Sequence, residues 1–298
     1  MQGSVQGLGW FVRRTSDAAV LGKFYHDALD LPVLRHWDLP ENAGYMLYAG
    51  GVTAFEVNRG GQTPISDPLQ AECTPIFRTR DLEAAVAYAT SAGARLVGED
   101  TSTKVTTKLF SDVLGHLFGL RAANHQSTHA PDIEAARAWK AGERGLSGLP
   151  PMPDSIQDLG TIQLRVEDPK NLAAFYAEML GLDIMGEPTS MGASLHLGGM
   201  GILELTPGGT RRSPPKDRVE VTDVWILRVY DYVGLKAHFA VNRVQRVNSL
   251  EMAGGWLDYY TDPEGHLFGF QERKPPDPKV PNTNLIEDIA ARKQWEAS

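Results

Sequence analysis

The sequence FYHDALDLPV at residues 24–33 returns as FYAEMLGLDI at residues 175–184. A second repeat is identical in both places: GHLFG stands at residues 115–119 and again at residues 265–269. Repeats that share one long period indicate copies of a single structural unit. The chain of 298 residues therefore consists of two related halves, and a stretch rich in Pro and Gly at residues 145–153 lies between them as a linker.

A shorter repeat divides each half again. The pattern Arg-x-x-Asp occurs four times, at Arg14/Asp17, Arg78/Asp81, Arg165/Asp168 and Arg228/Asp231. Each Arg ends an apolar run of strand length, and each Asp begins a helical pattern, where its carboxylate can cap the first turn. Short extended runs with Gly between them follow each helix. The sequence thus predicts an α+β protein of four βαβββ modules, in which we expect the repeated Arg to serve the fold, by pairing with the capping Asp.

The two levels of repeat predict where the domains begin and end. Modules 1 and 2 form an N-terminal domain at residues 1–124, and modules 3 and 4 form a C-terminal domain at residues 155–274. A linker with a helix occupies residues 125–154, and a tail helix occupies residues 275–298. Within each domain we expect two small sheets with their helices outside.

Composition excludes several classes of function. The chain has 29 Lys and Arg against 37 Asp and Glu, a net charge of −8, and no basic block for the phosphates of a nucleic acid. Its apolar runs are shorter than the ~20 residues that cross a bilayer, and its N-terminus lacks a signal-peptide pattern. A single cysteine, Cys73, cannot form an intrachain disulfide. We therefore expect a cytoplasmic protein, monomeric or homodimeric, that binds neither nucleic acid nor membrane.

The two helix segments at 24–33 and 175–184, together with DPEGHLFGFQE at residues 262–272, resemble the vicinal oxygen chelate superfamily. That superfamily includes glyoxalase I, extradiol ring-cleaving dioxygenases and bleomycin-resistance proteins. The resemblance implies that the four modules form two paired glyoxalase-like domains. It does not determine the function, because this fold serves lyases, isomerases, dioxygenases and drug-binding proteins.

The resemblance also locates the positions at which metal-binding relatives carry their ligands. Six of these positions hold residues that coordinate metal poorly or not at all: Trp10, Thr161, Thr74, Val224, Gly119 and Gly269. Only Glu56 and Glu204 keep the family's carboxylate, one in each half. Since one carboxylate is too few for a stable divalent site, we expect no metal and no cofactor, although a divalent metal held by other ligands stays open.

The same positions supply the candidate site residues. We take Glu56, Glu204 and His196, which precedes Glu204 on the neighbouring strand, as the catalytic candidates. Substrate-binding candidates are Trp10, Tyr48, Thr161, Gln163, Trp256 and Gly269. Each has a structural alternative: the carboxylates can face solvent or pair with Arg, and the aromatic residues can simply pack in the core. Strand alternation puts Arg14 on the same face of its strand as Trp10 and Val12, the face that lines the cavity in relatives. In this interpretation Arg14 and the repeated His116 and His266 have a structural task.

With Trp10 and Gly269 at ligand positions, the floor of the expected pocket becomes apolar and roomier. The sequence therefore predicts a pocket for an aromatic or polycyclic small molecule, in a protein that acts without metal as a binder or as a lyase or isomerase. Two alternatives remain: a metal-dependent glyoxalase-like lyase or extradiol-type dioxygenase, and a non-catalytic interaction module. The substrate, the occurrence of catalysis and the half that carries the pocket stay open at this point.

Overall fold

The computed structural model describes residues 5–39, 42–64, 66–101, 105–122, 130–142, 145–252 and 255–272, together with residues 286 and 289–290. Module 1 consists of β1 (Val5–Thr15), α1 (Ala18–Leu29), β2 (Val33–Leu39), β3 (Asn42–Tyr48) and β4 (Ala54–Arg59). Module 2 consists of β5 (Cys73–Thr79), α2 (Leu82–Ser91), β6 (Arg95–Asp100), β7 (Thr107–Ser111) and β8 (Leu117–Ala122). The helix α3 (Ala130–Lys140) follows.

Module 3 consists of β9 (Ile156–Val166), α4 (Pro169–Leu180), β10 (Asp183–Ile184), β11 (Ala193–His196) and β12 (Ile202–Pro207). Module 4 consists of β13 (Asp223–Val229), α5 (Tyr232–Val241), β14 (Arg246–Met252), β15 (Gly255–Thr261) and β16 (Leu267–Glu272). The predicted order of a strand, a helix and three strands is thus confirmed in all four modules. Most of the predicted tail helix at 275–298 lies outside the described residues, and residues 286 and 289–290 are helical.

The capping Asp residues begin the four module helices as predicted. Each carboxylate accepts the amide hydrogen of the residue three positions later, at 2.9 to 3.1 Å, in the pairs Asp17–Val20, Asp81–Ala84, Asp168–Asn171 and Asp231–Gly234. The expected pairing of these Asp with the repeated Arg is not found for Arg14 or Arg165. Arg14 donates to the carbonyl oxygen of Val221, and Arg165 donates to Leu69 and Gln70. The carboxylates of Asp17 and Asp168 instead accept from the first turns of their helices.

The strands form two sheets of eight, and each sheet joins one module from either half of the chain. Sheet A has the order β14-β15-β16-β13-β1-β4-β3-β2, so it combines modules 1 and 4. Sheet B has the order β10-β11-β12-β9-β5-β8-β7-β6 and combines modules 2 and 3. The antiparallel pairs β1–β13 and β5–β9 make the two joints. The α+β architecture of four modules is therefore confirmed, but the expected two small sheets within each half are not found, because each sheet crosses the halves 1–124 and 155–274. The boundaries of those halves stay sequence predictions.

Modules of the same half contact each other through their cores rather than their sheet edges. The ring of Tyr25 on α1 lies 5.7 Å from that of Phe118 and 6.5 Å from that of Phe77, both in module 2. In the second half, Tyr176 on α4 lies 5.5 Å from Trp225 and 5.7 Å from Phe268. These apolar faces leave the edges of β1 and β5 available, and strands from the other half cover them. This arrangement is the physical reason why each sheet draws on both halves.

A buried ion pair marks the joint of sheet A on its core face. Arg13 donates to both carboxylate oxygens of Asp223, at 2.8 and 2.7 Å, and to the carbonyl oxygen of Leu117 at 2.8 Å. Arg13 also donates to the hydroxyl of Tyr25. The repeat places Leu164 and Cys73 at the corresponding positions of sheet B, where they face each other in register. One joint is therefore polar and the other apolar.

Among the described residues, no helix is both long and apolar enough to cross a membrane.

Candidate functional site

A cavity of about 710 Å³ lies on the face of sheet A that is turned away from the core. Strand alternation brings Trp10, Val12 and Arg14 of β1 to this face, as the sequence predicts. Ile226 of β13 lies opposite Trp10 in the antiparallel register. The cavity therefore lies across the joint between modules 1 and 4, and neither half of the chain forms it alone. We refer to it as the sheet A cavity.

The floor of the sheet A cavity is aromatic and aliphatic. Trp10 is only 4% exposed, and Ile226 and Leu257 lie beside it. Gly269 lies in register with Ile226 on the neighbouring strand, where a Cβ atom would stand 3.3 Å from Ile226 and 3.4 Å from Leu257. Because glycine has no side chain, Ile226 and Leu257 can pack directly against the sheet at this position. Gly269 thus shapes the floor from beneath and does not itself line the cavity.

One wall carries a carboxylate among cationic groups. Glu56 on β4 keeps partial exposure to the cavity and accepts a hydrogen bond from the side-chain amide of Asn58. Enclosure by protein raises the pKa of Glu56, and this effect outweighs the hydrogen bond from Asn58 and the charges of Arg14, Arg35 and Arg218, which oppose it. The carboxyl group therefore holds a proton more readily than an exposed glutamate.

The arginines of this wall are positioned by aromatic rings. The guanidinium of Arg35 lies 4.9 Å from the ring centroid of Trp37, and that of Arg218 lies 5.8 Å from the ring centroid of Tyr259. Together with Arg14 and Arg59, they give the cavity four arginines against two glutamates, counted over the described residues. The expectation of an apolar pocket therefore holds only for its floor, because unrepeated segments bring charged side chains over it.

Three buried polar atoms at this cavity have no hydrogen-bond partner within the described part of the chain. They are Nη2 of Arg14, Oδ1 of Asn58 and Oε1 of Gln271. Arg14 is 1% exposed and Gln271 is 0% exposed, and both side chains line the cavity. A partner from outside the protein can therefore reach them only through the cavity. Buried polar groups in native proteins are almost always hydrogen-bonded, to protein, water or a ligand. These atoms therefore define where a bound molecule would be held.

Sheet B carries the duplicate of this site, and a side chain fills it. Arg121 donates to both carboxylate oxygens of Glu204, at 2.6 and 2.8 Å, and both residues are almost fully buried. Arg121 also donates to the hydroxyl of Thr107 at 2.8 Å and to that of Thr161 at 3.5 Å. Gln163, on the same face, donates to Asp100. The structure thus brings Thr161 and Glu204 together around the guanidinium of Arg121, with Gln163 on the same strand face.

Three further candidates lie outside the sheet A cavity. His196 contacts the carbonyl oxygen of Gly199 through Nε2 at 2.9 Å, within sheet B. The hydroxyl of Tyr48 donates to the carbonyl of Gly51 and accepts from the amide of Leu146. Tyr48 therefore links the loop after β3 to the connection that precedes β9. Trp256 is 41% exposed, on the opposite face of β15 from Tyr259. Glu56, Glu204 and His196 are consequently not neighbours in a single site.

The positions of the family's metal ligands do not fit a divalent ion. On sheet A they bring together Trp10, Val224, Gly269 and Glu56, which supply one carboxylate, and three arginines influence that carboxylate. On sheet B the single carboxylate, Glu204, already binds Arg121. Within the described ranges, no group of three or more His, Cys, Asp or Glu is arranged to hold a metal. A divalent ion generally needs three or four protein ligands, so neither donor set suffices.

Sequence reasoning missed several residues of this cavity. Asn58 and Gln271 stand two positions after Glu56 and Gly269, on the same strand faces, so alternation could have indicated them. Arg14 was placed on the cavity face but interpreted as structural. Arg35 and Arg218 come from segments outside the repeated motifs, and no spacing signal points to them.

Comparison with known proteins identifies the class of fold. Residues 10–121, which contain most of module 1 and module 2, match the family model of the glyoxalase-like domain. Glyoxalase I from Zea mays has a similar structure, with a TM-score of 0.62 and 14% sequence identity, over 96% of this chain and 95% of the maize chain. A candidate dioxygenase from Bacillus subtilis superposes with a TM-score of 0.66 and 13% identity, over 91% of this chain and 86% of that one. No curated protein sequence matches the chain.

The chain therefore has a two-domain fold like that of maize glyoxalase I. Residues 10–121 match the model of the glyoxalase-like domain family. The fold predicted from the repeats is confirmed. At 13 to 14% identity the two structures show the fold alone.

Proposed function

We propose that this protein binds a small aromatic molecule with an anionic group in the sheet A cavity, without a divalent metal. It acts there as a binder, or as a lyase or isomerase, in the cytoplasm and as a monomer or homodimer. The observation that carries the proposal is the unsatisfied Nη2 of Arg14, buried at a cavity whose lining has an excess of arginine. A guanidinium with unused N–H groups selects carboxylate, sulfonate or phosphate oxygens.

The size and floor of the cavity support the aromatic part of the ligand. A volume of about 710 Å³ falls within the range of small-molecule sites. Trp10 and Ile226 offer an apolar surface on which a ring can lie, and each Å² of apolar area removed from water contributes about 25 cal/mol. Trp37 and Tyr259 stand at the wall with their arginines, so a ring and an anionic group can be bound side by side.

The two unsatisfied oxygens add a requirement for hydrogen-bond donors. Oδ1 of Asn58 and Oε1 of Gln271 can only accept hydrogen bonds. A ligand with a hydroxyl or amino group on its ring would satisfy them, whereas a bare aromatic acid would leave them unpaired at a cost. We therefore favour hydroxylated or aminated aromatic acids over unsubstituted ones.

Glu56 is the group that would take part in any reaction. Its raised pKa allows it to exchange a proton with a bound ligand near neutral pH more readily than an ordinary carboxylate. A lyase or isomerase that works without metal needs such a proton carrier beside its substrate. The ligand positions on sheet A disfavour the alternative of a metal-dependent lyase or dioxygenase. They supply only the carboxylate of Glu56, and three arginines lie around it.

The test uses 3-hydroxy-2-naphthoate as the probe and follows the thermal unfolding of the full chain. We expect a saturable rise in melting temperature that is unchanged by a chelator, because ligands that bind the native state stabilise it. The variant Arg14→Leu should weaken binding by about tenfold or more, as expected for the loss of a charged hydrogen bond. Its matched control is Arg165→Leu at the duplicate position in sheet B, which should leave binding unchanged. Equal binding by both variants, or binding that a chelator abolishes, would contradict the proposal.

A further inference from the structure

A second cavity, of about 320 Å³, lies near the polar joint of sheet A. It is lined by residues 115–116 and 265–266 of the two repeated turns and by residues 62–64, 70–72, 212–216 and 220–222 of the chain connections. Cys73 and Asp223, at the starts of β5 and β13, also line it. Modules 2, 3 and 4 therefore contribute to it, together with the connections that precede modules 2 and 4. We refer to it as the turn cavity.

Two buried nitrogen atoms at the turn cavity have no hydrogen-bond partner within the described ranges. One is Nε2 of His116, whose side chain belongs to the first turn, and the other is Nε1 of Trp225 on β13. His116 is 5% exposed and Trp225 is 0% exposed. An indole N–H can only donate a hydrogen bond, so Trp225 requires an acceptor that the protein does not supply. Groups of this kind need an occupant of the cavity to satisfy them.

Most charged groups around the turn cavity are paired with one another, and Lys216 and Glu220, which also line it, carry opposite charges. Asp223 binds Arg13 through two hydrogen bonds, and Glu72 binds Arg212. His266 contacts Asp262 through Nδ1 at 2.8 Å. Burial lowers the pKa of His116, which favours its neutral form. An ion placed in this cavity would find few charges that are not already engaged, so the lining favours a neutral occupant.

The remaining wall is apolar, and the size of the cavity limits the ligand. Leu117, Leu164 and Leu267 line it together with the thiol-bearing Cys73. Burial raises the pKa of Cys73 well above its ordinary value, so the thiol remains protonated and acts as an apolar contact. A cavity of about 150 Å³ lined by apolar residues holds benzene, and the turn cavity has about twice that volume. One ring with a polar substituent is the size that it accommodates.

The polar contacts arise from an asymmetry between the two halves of the chain. Trp225 of module 4 corresponds to Pro75 of module 2, and Asp223 corresponds to Cys73. A space left between two identical halves would show the same groups on both sides. Here module 4 provides an indole N–H, and module 2 provides Nε2 of His116 beside the apolar side chain of Leu117, so the two sides present different groups to a ligand.

We propose that the turn cavity is a second ligand site, selective for a neutral ring-bearing molecule with an amide or similar group. The carbonyl oxygen of the ligand accepts from Nε1 of Trp225, and its polar end also reaches Nε2 of His116. This site is separate from the sheet A cavity, which lies on the other face of the sheet and favours anions. The two sites should therefore discriminate between a neutral compound and its anionic counterpart.

The experiment compares benzamide with benzoate, which differ mainly in charge. The probe signals are the indole N–H resonances of the six tryptophans in the ¹⁵N-labelled protein, with Trp225 assigned from the variant Trp225→Phe. We expect benzamide to shift the Trp225 resonance in a saturable manner and benzoate to leave it in place. Benzoate should instead shift the resonances of Trp10 and Trp37, which report on the sheet A cavity. The two proposals can therefore fail independently of each other.

Two variants complete the test. His116→Ala should weaken the benzamide response about fivefold or more, the loss expected for one hydrogen bond. Lys23→Ala should leave that response unchanged, because Lys23 is exposed on α1 and does not line the turn cavity. If His116→Ala fails to fold, the comparison of the two ligands on the unaltered protein still decides. A Trp225 resonance that benzamide does not move, or that benzoate moves equally, overturns the proposal and leaves the turn cavity as a site for water only.

Discussion

Arg121 and Glu204 form a bidentate ion pair on sheet B, with two hydrogen bonds of 2.6 and 2.8 Å and both side chains buried. The duplicate positions on sheet A hold Gln271 and Glu56, and there the space between the strands is a cavity. At this repeated position sheet B has Arg121, which lies against its carboxylate, and sheet A has Gln271, beside which the cavity is open. Among the described residues, Glu204 is therefore bound by a guanidinium, whereas Glu56 faces a cavity.

Breaking the Arg121–Glu204 pair should destabilise the protein strongly. Arg121→Met leaves Glu204 buried without its partner, and the free energy of unfolding should fall by about 3–5 kcal/mol. Urea unfolding followed by circular dichroism measures the change. As a control, Lys23→Ala removes the exposed pair Lys23–Asp27 and should leave the urea midpoint nearly unchanged.

The double replacement of Arg121 by Met and Glu204 by Leu should be much less harmful than Arg121→Met alone. Well-packed apolar residues commonly replace a buried ion pair at little cost in stability. A double variant as unstable as the single one would show that the pair does more than fill space on sheet B.

Transferring the guanidinium to sheet A should close its cavity. In Gln271→Arg, the new side chain can reach Glu56 as Arg121 reaches Glu204, so we expect 3-hydroxy-2-naphthoate binding to disappear while the protein remains folded. Isothermal titration calorimetry measures the loss. Gln271→Leu is the matched control, which removes one hydrogen-bond acceptor and should weaken binding only about fivefold. Undiminished binding by Gln271→Arg would place the ligand elsewhere.

Anion binding in the sheet A cavity should strengthen as the pH falls. The pKa of Glu56 is raised above its ordinary value of 4.5, so the carboxylate gains a proton on acidification and no longer repels an anion. Naphthalene-2-sulfonate is a suitable probe, because its own charge does not change. Glu56→Gln should bind more tightly at neutral pH and lose this part of the pH dependence, whereas Glu251→Gln, at an exposed position of the same cavity, should retain it.

The two repeated histidines should affect stability with opposite dependence on pH. For His266, burial disfavours the charged form, but the hydrogen bond to Asp262 and the nearby carboxylates outweigh it and raise the pKa above 6.5. Its stabilising contribution is therefore present below pH 6.5 and is lost as the pH rises through the folded-state pKa. His266→Gln should cost most in acid and least in alkali.

For His116 the sign reverses. Burial lowers its pKa below 6.5, so its contribution is present above that pH and is lost as the pH falls through the folded-state pKa. His116→Gln should therefore cost least in acid, relative to the unaltered protein. Urea midpoints measured over a pH series compare the two variants, and parallel curves would refute the assignment of different charge states to the two turns.

The repeats of the sequence predicted the modules, the Asp caps and the cavity face of β1, because these features depend on local periodicity. Trp10 and Glu56 accordingly lie in one cavity. The joining of modules 1 and 4 was not predicted, since all four modules have similar edges and only their packing selects the partner. Arg121 was not predicted, because it lies two residues beyond Gly119 and outside the ligand positions of the family.

The long sequence separation between β1 and β13 affects how the protein folds during synthesis. The strand β1 pairs with β13, which emerges from the ribosome some two hundred residues later. One edge of β1 therefore stays uncovered until β13 has been synthesised. Contacts so distant in sequence slow folding and expose nascent chains to aggregation. A rearranged gene in which module 4 directly precedes module 1 would bring the partners together at once, and its product should reach the folded state with less help from chaperones.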